Sequence, residues 1–185
     1  MKNTIIKSFT SKSGRKIDLR YPTEQDLEGL LSFINELSLE DTYIRYSGVI
    51  VTREEEQQFL TDTLRKIKND TSVMLLACEE DKIIGNSGIS RDSAKGSRLH
   101  HVGTFGISLR KQFRGDGIGR ILMETVLSEA KQKLNLKIAI LTVFANNPTA
   151  PKLYESLGFK KYGILPQGIL YKGEYIDLVY MYKKI

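Results

Sequence analysis

The chain has 185 residues, of which 41% are hydrophobic, and its 28 Lys and Arg residues outnumber its 22 Asp and Glu residues to give a net charge of +6. This length suits one domain with a sizeable core, and no apolar run approaches the ~18–20 residues of a membrane span. The N-terminus lacks the apolar stretch of a secretory signal, and the single cysteine, Cys78, excludes an internal disulfide. We therefore expect a soluble cytoplasmic protein. A basic surplus suits anionic partners, but the chain has no basic block and no nucleic-acid-binding motif, so no nucleic-acid partner is predicted.

The first third of the sequence predicts one strand followed by two helices. Thr23 precedes an apolar stripe at helical spacing and is the predicted N-cap of the first helix. Thr52 and Glu55 have the spacing of a capping box at the start of the second. Residues 1–14 are polar and form either a loose arm or part of a first hairpin. The predicted bounds are 16–22 for the strand, 23–37 for the first helix and 52–69 for the second.

The rest of the chain alternates between strands and helices. Three strands joined by short turns come first, and a glycine-containing loop leads into a helix of about five turns. An apolar strand, a short helix ending at Gly158 and two strands around Pro166 and the Lys172-Gly173 turn follow. Because strands on either side of a crossover helix are parallel, we expect an α/β (mixed α+β) fold whose sheet is mixed and covered by helices on both faces. The predicted bounds are 72–80, 82–91, 99–109 and 137–145 for the strands and 147–159 for the short helix.

Three glycines stand where the long helix begins, in the segment RGDGIG at residues 114–119. Glycine weakens a helix by roughly 0.5–1 kcal/mol relative to alanine. The presence of three glycines at the start of a helix therefore indicates a role for backbone that carries no side chains. The free N–H groups of a helix start bind anions, and glycine lets a phosphate approach them closely. The loop therefore predicts a pyrophosphate site, with an incidental glycine turn as the alternative. It matches neither the dinucleotide fingerprint nor the nucleotide P-loop. The basic residues nearby are Arg110, Lys111, Arg114 and Arg120.

Two motifs together resemble those of the GNAT family, the acetyl-CoA-dependent N-acetyltransferases. Arg114, Gly117 and Gly119 fit the family signature R/Q-x-x-G-x-G/A. The segment NNPTAPKLYESLGF resembles the second signature, N-x-x-A-x-x-L-Y-x-x-x-G-F, with matches at Asn147, Ala150, Leu153, Tyr154, Gly158 and Phe159. The chain is thus identified as a member of this family, of bacterial or archaeal type, and residues 1–185 as one GNAT domain. The resemblance implies a mostly antiparallel sheet with a splayed strand pair that takes coenzyme A.

The resemblance also implies where acetyl-CoA binds. In the family, the strand before the glycine loop carries a bulge and splays from the next strand, and the pantetheine arm lies in the gap. The pyrophosphate lies on the N–H groups of the loop. Asn147 matches an asparagine that hydrogen-bonds the arm, and it also suits a helix N-cap. The implied binding residues are Ile107, Ser108, Leu109, Arg114, Gly115, Asp116, Gly117, Ile118, Gly119, Arg120 and Asn147.

Tyr154 matches the family tyrosine that protonates the leaving thiolate of coenzyme A. The alternative is an amphipathic core tyrosine on a short helix. A phenol of pKa ~10 is a reasonable acid for a thiolate of similar basicity. The implied reaction is direct attack of a neutral primary amine on the thioester, without an acyl-enzyme and without a metal.

The general base is not evident from the sequence. GNAT enzymes often carry a carboxylate on the strand before the loop, but LHHVGTFGISL has none, and Thr104 stands where some relatives have an acid. His101, one of two adjacent histidines, is the predicted base, directly or through water, with a solvent-facing histidine as the alternative. Glu79 and Glu80 are further candidates.

The amine site is expected between the first two helices and the C-terminal hairpin, where acidic and aromatic residues suit a cationic amine. The same residues also fit an ordinary surface. A non-catalytic acyl-CoA sensor on the same fold is the alternative function, and a nucleic-acid-associated protein ranks last. The resemblance also raises a homodimer through the C-terminal strands, which the sequence does not fix. The candidate residues are Glu36, Glu40, Asp41, Tyr43, Arg45, Tyr46, Tyr171, Glu174, Tyr175 and Asp177.

Overall fold

A sheet of eight strands forms the centre of the computed structural model, which describes residues 4–44, 48–91, 94 and 96–185. The strands are β1 Ile5–Thr10, β2 Lys16–Arg20, β3 Ser72–Glu79, β4 Lys82–Arg91, β5 Val102–Leu109, β6 Ile138–Phe144, β7 Lys160–Tyr171 and β8 Glu174–Lys184. They lie side by side in the order β1-β2-β3-β4-β5-β6-β8-β7. Only the β5–β6 pair of this sheet is parallel. The predicted mixed, mostly antiparallel sheet is confirmed, and residues 5–10 form the first strand of a hairpin.

Helices cover both faces of the sheet, as predicted. They are α1 Leu27–Leu39, α2 Arg53–Lys68, α3 Ile118–Leu134 and α4 Ala150–Ser156. On one face, α3 and α4 pack on the sheet around a large core that includes Leu122, Phe105 and Phe159. On the other face, α1 and α2 pack on β3 and β4 around a smaller core that includes Phe33 and Leu76. Helices α1 and α2 cover only β3 and β4 on this face of the sheet. The same face of β5, β6 and β8 is therefore more open, and Thr104 on β5 is exposed.

The local signals of the sequence set most of the element bounds. The capping box of α2 forms as predicted, since the Glu55 N–H donates to Thr52 Oγ1 at 3.3 Å and the Thr52 N–H donates to Glu55 Oε2 at 2.8 Å. The first helix starts with a 3₁₀ turn at Glu24–Asp26 before α1. The short helix α4 is three residues shorter at each end than predicted, with Gly158 just beyond it at φ +86°.

The strand predicted over residues 99–109 begins only at Val102. His100 and His101 therefore lie in the turn that precedes β5, which corrects their placement on the strand. The His101 carbonyl accepts hydrogen bonds from the N–H groups of Lys137 and Ile138 at 2.9 and 3.2 Å. This turn holds the start of β6 in place. Two predicted amine-site residues, Arg45 and Tyr46, lie outside the described residues, and none of the helices within the described part of the chain is both long and apolar enough to span a membrane.

A buried ion pair joins β2 to the start of α1. The Arg20 guanidinium donates to both oxygens of Asp26, at 2.8 and 2.6 Å, and both side chains are about nine-tenths buried. Thr23 adds hydrogen bonds from its N–H and hydroxyl to the same carboxylate, at 2.7 and 3.0 Å. Burial alone would raise the pKa of the Asp26 carboxyl, but the hydrogen bonds from Arg20 and Thr23 outweigh burial and lower it. The pair therefore stabilises the fold above the ordinary carboxyl pKa, and this contribution is lost as the pH falls through the lowered value.

We expect Arg20→Met to lower the free energy of unfolding by about 3–5 kcal/mol at pH 7, because it leaves a charged Asp26 buried without its main partner. Urea unfolding measures this change. The matched control is the double variant Arg20→Met/Asp26→Leu, which removes both charges and should recover most of the loss. Equal stability of the single variant and the wild type would contradict the assignment.

Candidate active site

Strands β5 and β6 separate after three residue pairs. They pair in parallel through Val102–Ile138, Gly103–Ala139 and Thr104–Ile140. Beyond Thr104, the rest of β5 pairs only with β4. A gap therefore opens between Phe105–Leu109 and the end of β6, which confirms the predicted splayed strand pair.

The bulge that the family resemblance implied for β5 is absent from its pairing with β4. The register of these strands runs unshifted from Gly85–Leu109 to Arg91–Gly103. A register shift occurs one strand further along, between β3 and β4 at Ala77 and Cys78. The gap thus arises because β6 leaves β5, and β5 itself stays regular.

Peptide groups of β5 point into this gap. The Arg110 N–H donates to the Ile84 carbonyl at 2.9 Å, so Arg110 bonds toward β4. Because successive residues of a strand bond to opposite sides, the peptide groups of Ile107 and Leu109 point away from β4 and toward the gap. The Ser108 peptide group faces its partner Asn86 on β4. Three strand residues were implied to bind the pantetheine arm. Of these, Ile107 and Leu109 are the two whose backbone faces the gap.

The glycine loop ends in a run of backbone amides without acceptors. Within the described residues, the N–H groups from Gly115 to Arg120 donate no hydrogen bond, and the first bond of α3 runs from the Ile121 N–H to the Gly117 carbonyl at 3.4 Å. Gly115 and Gly117 have φ values of +79° and +83°, which glycine adopts without strain. An unpaired amide run at a helix start favours an anion. The predicted phosphate-binding loop therefore has the local structure that its function requires.

The third glycine of the loop lies at a close contact between elements. A Cβ on Gly119 would lie 3.3 Å from Leu109 Cδ1, 3.6 Å from Leu153 Cδ2 and 3.7 Å from Ile107 Cδ1. The start of α3, the gap-facing residues of β5 and helix α4 therefore meet at this residue. This contact brings the two sequence motifs together in space.

Arg114 joins the glycine loop to the segment after α1. Its guanidinium donates to both carboxylate oxygens of Glu40, at 2.5 and 2.8 Å, and its Nε donates to the Leu109 carbonyl at 2.9 Å. A bidentate pair of this kind fixes geometry as well as charge. Glu40, predicted for the amine site, thus neutralises an arginine of the phosphate loop.

The other two arginines near the loop have structural partners. Arg110 is only 3% exposed, its Nε donates to the Ile83 carbonyl at 2.9 Å and its guanidinium forms an ion pair with Glu36. Arg110 therefore does not line the anion site, which corrects the prediction made from its position in the sequence. Arg120 donates to Ser156 Oγ at 2.6 Å and so connects α3 with α4.

Asp116 attaches the first hairpin to the glycine loop. Its carboxylate accepts from the Ser13 N–H at 2.7 Å and from the Ser13 hydroxyl at 2.6 Å, and its carbonyl accepts from the Lys12 N–H at 3.2 Å. Hydrogen bonds from the hydroxyls of Ser11 and Ser13 lower the pKa of Asp116. The Lys12 side chain passes over Gly117, whose Cβ would lie 3.5 Å from Lys12 Cε. The hairpin thus brings to the loop a lysine that no local sequence signal connects with it.

We expect Asp116→Ala to make the amide of Ser13 exchange its hydrogen roughly tenfold faster or more, since it removes a hydrogen bond to a charged acceptor. Hydrogen exchange followed by NMR measures this change. The amide of Gly14, which donates to the Ser11 carbonyl at 3.0 Å within the turn, is the internal control. Equal acceleration at both amides would mean that the whole turn had opened.

Tyr154 lies on α4 with a hydroxyl that no described residue engages. The side chain is 9% exposed, and its ring lies 6.1 Å from the ring of Phe159. Burial raises the pKa of Tyr154 to about 12. The phenol is therefore protonated throughout the pH range in which proteins are stable, so it can donate a hydrogen bond or a proton.

Asn147 caps the turn that leads into α4. Its Oδ1 accepts from the N–H groups of Thr149 and Ala150, at 3.1 and 2.9 Å. The N-cap residue of α4 is Thr149, so Asn147, the predicted alternative N-cap, instead stabilises the turn two residues before it. Its contact with a cosubstrate stays a prediction.

The predicted base, His101, is not brought to the glycine loop. It lies four residues before Phe105, where the gap begins, or roughly 13 Å along the strand. Its ring contacts that of His100 at 5.7 Å. Glu79, another candidate, pairs with Arg15 at 3.0 Å.

A cluster of aromatic rings lines a cavity at the end of β6. Tyr43 stacks on Tyr171 with ring centroids 5.0 Å apart, and the Phe144 ring meets both edge-on at 5.8 and 5.6 Å. We call this cavity, of about 490 Å³, the aromatic pocket; Phe144 and Tyr171 line it, whereas Tyr43 contacts their rings without lining the cavity. Its other walls are Ser38, Leu39, Asp41, Ile44, Gly48, Ile169, Leu170, Lys172 and Gly173. Tyr43, Tyr171 and Asp41 were predicted for the amine site. Phe144 was not, and its place as the last residue of the strand before Asn147 is the signal that could have found it.

The remaining predicted amine-site residues do not line this pocket. Glu174 and Tyr175 are exposed on the C-terminal hairpin, and Asp177 accepts from the Gln167 N–H at 2.9 Å. A larger groove of about 1160 Å³, with Tyr21 and Lys133 among its residues, lies at the opposite end of the sheet from the glycine loop. Of these two cavities, the aromatic pocket is the one that adjoins the gap, through Phe144.

Comparisons with known proteins agree with this geometry. The family described as "Acetyltransferase (GNAT) family" matches residues 33–159. The L-amino acid N-acetyltransferase AaaT of Escherichia coli K12 is 32% identical over 107 residues, or 58% of this chain and 65% of the relative. The spermidine N(1)-acetyltransferase of Vibrio cholerae is 33% identical over 84 residues, or 45% of this chain and 49% of the relative. The matched regions thus cover less than two thirds of the length of the first relative and about half of the length of the second.

A solved structure extends the similarity over nearly the whole fold. The crystal structure of a GNAT-family acetyltransferase from Streptococcus pneumoniae has a TM-score of 0.82 and 30% identity, and the alignment covers 91% of this chain and 99% of that one.

Proposed function

Because the chain belongs to the acetyltransferase (GNAT) family, we propose that it transfers the acetyl group of acetyl-CoA, the cosubstrate of this family, to a primary amine. The observation that carries the proposal is the amide run of Gly115–Arg120, which lacks acceptors and lies beside the β5–β6 gap. An anion site next to exposed strand backbone fits a ligand with a pyrophosphate and an amide-containing arm. The chain's own residues thus fit acetyl-CoA.

Each part of this cosubstrate has a candidate partner. The amides of Gly115–Arg120 would hold the pyrophosphate, with Lys12 and Lys111 nearby as cations. The N–H and carbonyl of Ile107 and the N–H of Leu109 would pair with the pantetheine arm, as an added strand pairs with a sheet edge, while the Leu109 carbonyl accepts from Arg114. Acetyl-CoA supplies an acetyl group activated as a thioester, with a thiol as the leaving group.

Tyr154 would hold the proton that the leaving sulfur requires. The amine nitrogen forms the new C–N bond, the C–S bond breaks, and the Tyr154 hydroxyl donates its proton to the thiolate. The proton lost by the attacking neutral amine returns to Tyr154 through solvent, so this step is balanced in protons; an amine that starts as an ammonium ion releases one proton to solvent beforehand. Because the pKa of Tyr154 is about 12 and that of an ordinary thiol is ~8.5, the phenol first stabilises the developing charge on sulfur as a hydrogen-bond donor, and its proton moves only as the C–S bond breaks.

The amine must reach the thioester without its proton. His101 as the base would require a chain of water molecules from the turn before β5, because it lies four residues from the start of the gap. An amine with a pKa near ~8 needs no strong base, since a sizeable fraction is neutral at pH 7–8. The homodimer and the cytoplasmic location also stay predictions.

Two measurements on the wild-type protein test the proposal. Calorimetry measures the binding of acetyl-CoA, and a thiol reagent then measures the release of CoA with a panel of primary amines. We expect binding, and release that depends on an amine. Absence of binding would overturn the proposal, whereas binding without release by any amine would favour the non-catalytic acyl-CoA sensor.

A further inference from the structure

We propose that the acetyl acceptor is a free α-amino acid with a large apolar side chain, which the aromatic pocket holds while Lys172 binds its carboxylate. This inference rests on the proposed function, because it names the amine that would meet the thioester. Three features of the pocket lead to it: its position, its charge and its size.

The aromatic pocket adjoins the gap through Phe144. This residue ends β6, so its backbone borders the gap while its ring forms a wall of the pocket. The Phe144 carbonyl accepts from the Asn147 N–H at 3.0 Å, and the Tyr43 hydroxyl donates to the Asn146 carbonyl at 3.3 Å. A group held in the pocket against Phe144 and Tyr171 therefore lies beside the end of the splayed strands.

The acidic residues around the pocket do not leave an excess of negative charge. Glu36 pairs with Arg110, and Glu40 pairs with Arg114 in a bidentate contact. Asp41 faces Lys172, with its carboxylate 3.8 Å from the ammonium. The acidity that suggested a polycationic amine from sequence is thus neutralised in the structure. Apolar and aromatic walls then favour an amine with an apolar body.

Lys172 is suited to a carboxylate at the edge of the pocket. Among the described residues that line it, Lys172 is the cationic one. Its Nζ lies 5.3 Å from the centroid of the Tyr171 ring and 3.8 Å from Asp41, and its side chain is 56% exposed. An exposed pair at this distance is weak, so a substrate carboxylate can compete for the lysine.

One hydrogen bond joins the segment after α1 to the C-terminal hairpin at the side of the pocket. The Tyr171 hydroxyl donates to the Asp41 carbonyl at 3.2 Å, next to the Asp41–Lys172 pair. With a volume of about 490 Å³, the cavity is within the usual range for small ligands. This size suits a free amino acid.

Rates of CoA release with matched acceptors test the proposal. L-Phenylalanine and phenylethylamine differ by the carboxylate, L-phenylalanine and L-alanine differ by the apolar group, and spermidine represents a polycation. We expect kcat/KM for L-phenylalanine to exceed that for phenylethylamine by roughly tenfold or more, as for a lost hydrogen bond to a charged group. L-Alanine and spermidine should fall below L-phenylalanine by a similar factor. A preference for spermidine, or for a peptide with N-terminal phenylalanine over the free amino acid, would overturn the proposal.

Two variants locate the recognition. Lys172→Met should remove the preference for L-phenylalanine over phenylethylamine by lowering kcat/KM for L-phenylalanine far more than for phenylethylamine. Tyr171→Ala should lower kcat/KM for L-phenylalanine about tenfold, whereas Tyr175→Ala, at a 68% exposed position on the same hairpin, is the matched control. An equal effect of Lys172→Met on both amines would contradict the role of Lys172.

Calorimetry of L-phenylalanine with the CoA-bound protein separates this inference from the proposed function. Binding that Tyr171→Ala abolishes would support the pocket even if no acetyl transfer occurred. Acetyl transfer to other amines, with no binding of L-phenylalanine, would overturn the inference and leave the proposed function in place.

Discussion

Replacing Tyr154 by phenylalanine is expected to lower kcat by about 10²- to 10⁴-fold, the usual contribution of a positioned acid, while the affinity for acetyl-CoA changes little. The hydroxyl has no partner among the described residues, so its removal leaves no buried group unsatisfied. The ring, packed near Phe159, is retained. Stopped-flow or steady-state rates of CoA release, with calorimetry for binding, measure the two effects separately.

The pH dependence gives this prediction a second readout. Because burial raises the pKa of Tyr154 to about 12, the phenol stays protonated over the accessible range. The wild-type rate should therefore rise as the amine loses its proton and show no fall below about pH 11 that is due to Tyr154. Tyr162→Phe, at a 54% exposed position on β7, is the matched control. An unchanged kcat in Tyr154→Phe would return this residue to a purely structural role.

Replacing Gly117 by glutamate should raise the dissociation constant of acetyl-CoA by roughly a hundredfold or more. A carboxylate about 5 Å from a phosphate costs about 3 kcal/mol at an effective dielectric constant near 20. The φ of +83° adds strain for any residue with a Cβ. Calorimetry with acetyl-CoA measures the loss.

Two controls separate charge from strain at this position. Gly117→Ala introduces the strain without the carboxylate and should weaken binding much less. Gly96→Glu introduces the same charge at a φ of +76°, in the connection between β4 and β5, with no atom within 4 Å of the added Cβ. It should leave the affinity unchanged. If Gly117→Glu bound acetyl-CoA like the wild type, the phosphate would not lie on the glycine loop.

Features encoded by neighbouring residues could be predicted from the sequence. The capping box of Thr52 and Glu55 depends on two residues three apart, and it forms as expected. The glycine loop is equally local, because Gly115 and Gly117 adopt positive φ within a single turn. The order of strands and helices then determines that β5 and β6 are parallel, whereas the splay between them was implied by the resemblance of the two motifs to the family.

Features that depend on contacts between distant residues were missed. Lys12 and Ser13 reach Asp116 across about a hundred residues of sequence, and nothing near them indicates this contact. Arg110 lies next to the loop in sequence, but its buried side chain forms an ion pair with Glu36 on α1. The start of β5 was placed too early, because the pattern of residues 99–101 fits a strand while the chain there forms a turn.

The short junction between β5 and β6 has a consequence for how the protein persists in a cell. Two blocks of the sheet, β1–β5 and β6–β8, share only three residue pairs along their common line. A ligand that occupies the gap would supply bonds that a continuous sheet would make itself, and so would hold the two blocks together. At a free concentration a hundred times its dissociation constant, such a ligand adds about 2.7 kcal/mol to the free energy of unfolding. If the proposed function holds, we therefore expect the amount of folded protein to follow the supply of acetyl-CoA, so that a cell short of this metabolite also holds less of the folded protein.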